Sequence, residues 1–215
     1  MGQEGRVHSK LLTIAARSIL RPMGLVQKGR SRIWLDDRQW WVCVVEFQPS
    51  SWSRGSYLNV GCMWLWLVKD YVSFDLGHRV EHFHEFQDEQ QFKTESMDLA
   101  ARAAREVTRY RALFPTVRDV ADYYQRHDPT AGWPSYDAAI ACALSHRVDD
   151  ARRLFRRFAH PVDTLNEFVA AAQAEAEQLS ELASDAEQFK RVIAAKVHRT
   201  RQLQGLPIRP ELNFD

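Results

Sequence analysis

Three polar side chains stand in segments that otherwise read as apolar strands. Glu46, Gln48 and Asn59 each share a side-chain parity with hydrophobic neighbours in Gln39–Gln48 (QWWVCVVEFQ) and Tyr57–Val68 (YLNVGCMWLWLV). Buried polar groups need partners. The three therefore bond one another and the nearby backbone, line a pocket, or mark strand ends emerging into solvent. Between the two segments, Pro49–Ser56 is mostly turn chemistry and carries Ser50, Ser51, Trp52 and Arg54. Loops held by a rigid scaffold usually carry binding groups. Glu46, Gln48, Ser50, Trp52, Arg54 and Asn59 are accordingly the candidate binding set. In an enzyme, Glu46 would be the general acid or base of a pocket closed by the 49–56 loop. Ser50, Ser51 and Ser53 could act as nucleophiles only with a base beside them.

Two further constellations have the right residue types. His78, His82 and His84 lie among Glu81 and Glu85, and strand alternation would put His82 and His84 on one side, as two metal ligands require. Spacing fixes no third ligand, so ordinary histidines on an edge strand are expected, with no metal and no cofactor. Arg30, Arg32 and Arg38 interleave with Trp34, Trp40 and Trp41, and Arg152, Arg153, Arg156 and Arg157 form a second basic group. Exposed together, such residues stack bases and neutralise phosphates. Asp36, Asp37, Asp149 and Asp150 sit among them, however, so solvated faces and buried tryptophans are expected instead. No P-loop, GxGxxG, GxSxG or HExxH pattern occurs.

The formal net charge of the 215 residues is +1, which gives no global field toward nucleic acid or an anionic membrane. Cys43, Cys62 and Cys142 show no metal-ligand spacing, and an odd count fits a reduced, cytoplasmic chain. The apolar stretch Leu11–Leu20 is interrupted by Thr13, Arg17 and Ser18, so it is neither a secretory core nor a membrane span. Met1-Gly2 begins like a myristoylation signal, but Arg6 stands where that signal needs Ser or Thr.

Several elements must position these groups. Apolar spacing predicts a helix over 7–21, ended by Pro22 and Gly24. A strand over 25–35, kinked at Gly29, is expected to turn at Asp36-Asp37 into the central strand Gln39–Gln48. Segments 57–68, 71–76 and 79–86 complete an antiparallel sheet, the last two as a hairpin about Gly77. After Gln87 the period becomes helical. One helix carries Phe92, Leu99, Ala103, Val107, Tyr110 and Phe114, and a shorter one spans Thr116–His127. Asp128–Pro134 reads as a linker, followed by helices at 134–146 and 148–159. In that pair Ala139, Ala151 and Phe155 fall at spacings similar to a tetratricopeptide unit. The pattern occurs once, and a solenoid needs about three repeats, so a plain helix hairpin is expected. Thr164-x-x-Glu167 reads as a capping box. A heptad seam then runs from Leu165 to Lys196, interrupted at Glu175 and Lys196, in one helix or in two broken near Ser184. A homodimer through 163–204 is one use of that seam. The tail 207–215 reads as an extended strap or as disordered.

Phe47-Gln48, Ser50-Ser51-Trp52 and Leu58-Asn59-Val60-Gly61 resemble a motif of an uncharacterised bacterial family catalogued as domain of unknown function 4304. The preceding Gly24-Leu25-Val26-Gln27-Lys28-Gly29 is similar to that family's "Gly, hydrophobic, Lys-Lys/Arg-Gly" stretch, with Gln27 departing from the first basic position. The resemblance covers about residues 7–76 and implies an α+β architecture. It implies no activity and no catalytic residue.

The expected fold is therefore α+β: an N-terminal helix and a four- to five-stranded antiparallel sheet over 1–88, then a helical region over 89–215. The expected function is a non-catalytic, cytoplasmic protein-binding module, of a kind suited to toxin neutralisation or to an accessory role in defence. A protein partner, rather than nucleic acid or a membrane, is its expected ligand. A small-molecule enzyme with a pocket at the 46–59 hairpin end is the first alternative, and nucleic-acid binding the second.

Overall fold

A computed structural model describes residues 3–127, 132–162 and 165–215. Most of the 128–134 linker, the Thr164 cap and Met1-Gly2 lie outside the described residues. The fold is α+β, with an N-terminal helix, a five-stranded antiparallel sheet and a helical C-terminal region. The chain forms two compact units, Met1–Met63 with Val72–Ala112, and Trp64–Tyr71 with Leu113–Asp215. Among the described residues no helix is long and apolar enough to cross a membrane.

In the first unit, α1 (Gln3–Leu20) buries Leu12, Ala15, Ala16 and Leu20 and stops where the sequence places Pro22 and Gly24. The sheet follows in chain order: β1 (Val26–Gln27), β2 (Ile33–Asp37), β3 (Trp41–Gln48), β4 (Gly55–Trp64) and β5 (Leu76–Glu85). β3 is the middle strand, which is why both its faces are apolar and buried from Trp41 to Val45. The turn into it uses Asp37, whose carboxylate accepts from Gln39 N at 3.0 Å.

Two strands differ from the expected layout. The 25–35 segment is a hairpin, not one kinked strand: Gly29 takes φ 57°, and Lys28 N donates to Ile33 O at 2.9 Å. The residue read as a kink is the turn itself. Similarly, 71–76 and 79–86 form no hairpin. Gly77 lies within β5, opposite Gly61 of β4. The two glycine backbones approach so closely that a Cβ on Gly61 would fall 2.8 Å from the Gly77 Cα. Gly77 is there for close contact, not for a turn.

Helix α2 (Glu89–Leu113) belongs with the sheet, although the helical period begins at its start. Its polar side chains explain the attachment. Glu95 meets His84 at 3.1 Å, Arg102 pairs with Glu81, and Arg111 grips Asp36 through two bonds of 2.9 and 2.7 Å. The helix thus links β5 at one end to β2 at the other.

The second unit contains α3 (Val117–His127), α4 (Trp133–Leu144), α5 (Val148–Ala159), α6 (Glu167–Leu182) and α7 (Ala186–Gln204). β4 ends at Trp64 instead of running to Val68, and the chain leaves the sheet. Trp64 and Trp66 stack at 5.3 Å, and their indole N–H groups need acceptors once buried. They find Tyr124 Oη at 3.2 Å and Asp137 Oδ1 at 2.8 Å. Gln204 of α7 donates to the Lys69 and Tyr71 carbonyls, holding the rest of this segment. Ala139, Ala151 and Phe155 are fully buried in the α4–α5 hairpin.

The 163–204 seam is broken into two helices, α6 and α7. Asp185 caps α7 by accepting from Gln188 N at 3.0 Å, and Asn166 caps α6. The two interruptions of the seam, Glu175 and Lys196, form an ion pair with each other. The tail is a strap: Phe214 is buried, and its carbonyl accepts from Val117 N at the start of α3.

Candidate functional site

The sheet separates the six candidate residues into two groups. Glu46 and Gln48 share the face of β3 that also carries Val42 and Val44, and Asn59 reaches them from β4. The Asn59 amide nitrogen donates to Glu46 Oε2 and to Gln48 Oε1, each at 2.9 Å. Arg79 of β5 completes the row. It donates to Gln48 Oε1 at 3.0 Å and to Asn59 Oδ1 at 3.4 Å, with its guanidinium 4.0 Å from the Tyr57 ring centroid. Tyr57 in turn leans on Phe83. This is a cross-strand polar ladder, half-buried at Glu46, Gln48 and Asn59 and exposed at Arg79, in which each side chain satisfies the next.

Ser50, Trp52 and Arg54 belong elsewhere. The loop between β3 and β4 is built on Ser50, whose hydroxyl accepts from Trp52 N at 3.1 Å and Ser53 N at 3.3 Å. Its far end is held by Gly55, with φ 149° and no room for a side chain: a Cβ would fall 2.0 Å from the His84 carbonyl oxygen. Phe86 N donates to the Arg54 carbonyl at 2.8 Å. Trp52, at the exposed tip, is 94% accessible.

Beneath this loop lies an open cleft of about 460 Å³, lined by His8, Ser9, Arg32 and residues 49–55. Glu46, Gln48 and Asn59 do not line it. The register explains why. Ile33 pairs with Glu46, and the next residue back, Arg32, accepts from Phe47 N through its carbonyl at 3.1 Å. Alternation sends Arg32 and Phe47 to the face opposite Glu46 and Gln48. Glu46 and the loop cleft therefore lie on opposite sides of the sheet.

Arg32 is the cation of the cleft. It donates through Nη2 to Ser9 Oγ and to His8 Nε2, the latter at 3.0 Å, and through Nη1 to Gly55 O at 3.5 Å. A guanidinium cannot accept, so His8 presents a bare Nε2 and is neutral in this arrangement. His8 itself is buried against Phe86 and Phe92. No carboxylate among the described residues lies within ion-pair distance of Arg32, and burial lowers its pKa from the ordinary arginine value.

The histidines of β5 do not gather as simple alternation predicts. Register shifts between Ser56 and Leu58, and again between Leu58 and Asn59, place extra residues in β5. His84 then sits with Glu81, three residues away, and with Glu95 of α2, while His82 is exposed. Among the described residues no three His, Cys, Asp or Glu side chains are grouped to hold a metal ion. Trp34, Trp40 and Trp41 are buried, so they offer no stacking surface. In the second basic group, Arg153 pairs with Asp150 and Arg152 donates to the Ser180 carbonyl.

The residue pattern points to the ladder's Glu46, Gln48 and Asn59 and gives Tyr57 no role, and it misses Arg79 because the expected hairpin about Gly77 separates that residue from Asn59. It places Arg32 in a basic stripe and gives His8 and Ser9 no role beyond the helix. The alternation of β2 against Phe47 is the signal that links Arg32 to the loop, once β1 and β2 are recognised as separate strands. Comparison of the chain with protein-family models, with curated proteins and with solved structures finds no match.

Proposed function

We propose that this chain is a non-catalytic protein-binding module of the bacterial cytoplasm, meeting its partner through the Ser50–Arg54 loop. Toxin neutralisation or an accessory role in defence would suit such a module. The observation that carries this reading is Trp52. Of the seven tryptophans in the chain it alone stands 94% in solvent, on a loop braced at both ends. An exposed indole beside an arginine is the kind of anchor that dominates protein interfaces. Kinship with the bacterial family that shares the Ser-Ser-Trp motif is part of the same proposal.

The enzyme alternative has less support, because the Glu46 carboxylate already accepts from Asn59 and faces away from the loop cleft. Nucleic-acid binding is weakened by the burial of Trp34, Trp40 and Trp41. A homodimer through 163–204 would need a seam whose charges already pair within the chain. The test is affinity capture from the source lysate, with wild type and a Trp52→Ala/Arg54→Ala variant as baits. A stoichiometric protein retained by the first and lost by the second supports the reading. Equal recovery by both, or none by either, removes it.

A further inference from the structure

The loop cleft has a chemistry that the partner reading does not use. Its described lining includes two arginines, Arg32 and Arg54, hydroxyls from Ser9, Ser50, Ser51 and Ser53, and no Asp or Glu. Arg32 is half-buried there with only neutral partners. Arg111 in the same unit, also half-buried, meets the carboxylate of Asp36. Arg32 instead rests on a neutral imidazole, a hydroxyl and a long bond to a carbonyl. These three contacts occupy three of the five N–H donors of a guanidinium. The remaining two have no acceptor among the described residues.

We propose that the cleft is an oxyanion site, taking a phosphate or carboxylate group on the Arg32 guanidinium beneath the Ser50–Gly55 loop. Three features fit this chemistry. The fork of an arginine matches two oxygens of either group. The serine hydroxyls can donate to the other oxygens. Holding His8 neutral through Nε2 keeps the imidazole positioned as a prop for the guanidinium. The anion could be a small free molecule, or an acidic side chain presented by a protein. The site does not depend on the partner proposal, and the test keeps them apart.

Full-length, nitrogen-labelled protein is titrated with inorganic phosphate at constant ionic strength, and in parallel with an end-blocked oligo-aspartate peptide. Saturable amide shifts confined to residues 8–9, 32 and 50–55 are expected with phosphate. Chloride in place of phosphate is expected to leave these amides unmoved. The Arg32→Gln variant should lose the saturable shifts. Arg32→Lys, which keeps the charge without the fork, should bind about tenfold more weakly. Tighter binding of the peptide than of phosphate assigns the group to a protein's acidic side chain; the reverse assigns it to a free molecule. Absence of saturable shifts with both probes in the wild type overturns the site. So does an affinity unchanged in a folded Arg32→Gln or Arg32→Lys protein. Failure to capture a protein partner leaves these results untouched.

Discussion

The side-chain amide of Asn59 donates to the carboxylate of Glu46 at 2.9 Å, across neighbouring strands of the sheet. The same amide nitrogen reaches Gln48, so one residue of β4 serves two of β3. The Glu46 carboxylate thus has a hydrogen-bond partner within the sheet.

Removing that donor should cost stability and nothing else. Asn59→Ala strips a partner from both Glu46 and Gln48, an expected loss of about 1–2 kcal/mol, measured by urea unfolding. Glu46→Gln keeps an acceptor at the same place and should stay close to wild type in both stability and partner capture. A functional loss from Glu46→Gln in a stable protein would restore the catalytic reading.

The two arginines that tie α2 to the sheet should differ sharply. Asp36 is buried and holds Arg111 through two bonds, with the Met23 carbonyl as a third contact of that arginine at 2.7 Å. Arg111→Ala leaves the carboxylate buried without its cation and should cost about 3 kcal/mol or more. Arg102 pairs with Glu81 in a more exposed position. Its alanine variant should cost no more than about 1 kcal/mol. Chemical denaturation of the two variants side by side checks the contrast.

Gly61 should tolerate no side chain. A Cβ there would fall 2.4 Å from the Leu76 carbonyl oxygen and 2.8 Å from the Gly77 Cα, both main-chain atoms that cannot swing aside. Gly61→Ala is expected to destabilise by about 1–3 kcal/mol and to disturb the β4–β5 amides. Preserved amide shifts along that strand pair would contradict the close approach.

The cysteines should be inert while the chain is folded. Burial pushes the Cys142 thiol up to about 11 and raises Cys43 and Cys62 well above the ordinary thiol value. Iodoacetamide at pH 8 should leave all three unlabelled in native protein and modify all three in urea. The sign of the linkage also follows. The folded chain holds these protons more tightly than the unfolded chain, so their contribution to stability is complete below about pH 9. It declines as pH rises from 9 toward 11 for Cys142.

Much of this architecture was legible in residue patterns, and the misses have physical causes. The all-apolar alternation of Trp41–Val45 identified a central strand, and β3 occupies the middle of the sheet. The stripe Phe92, Leu99, Ala103, Val107 and Tyr110 identified α2 and its buried face. Glycine chemistry misled twice in opposite directions. Gly29 was read as a kink and is a turn, while Gly77 was read as a turn and is a point of contact between strands. Alternation also breaks where extra residues enter a strand, as in β5, so the partners of His84 could not be counted off. Glu175 and Lys196 looked like flaws in a seam until the break before Ala186 folded them together. The candidate set likewise joined residues adjacent in sequence that the sheet divides between its faces.

The central claim is that the Trp52 loop is a contact surface for a protein. Its most direct test is the dissociation constant of the captured partner, measured for wild type, Trp52→Ala and Asn59→Ala. Trp52→Ala is expected to lose about 2 kcal/mol or more of binding, roughly thirtyfold, while Asn59→Ala binds as wild type. Equal affinity for wild type and Trp52→Ala would contradict it.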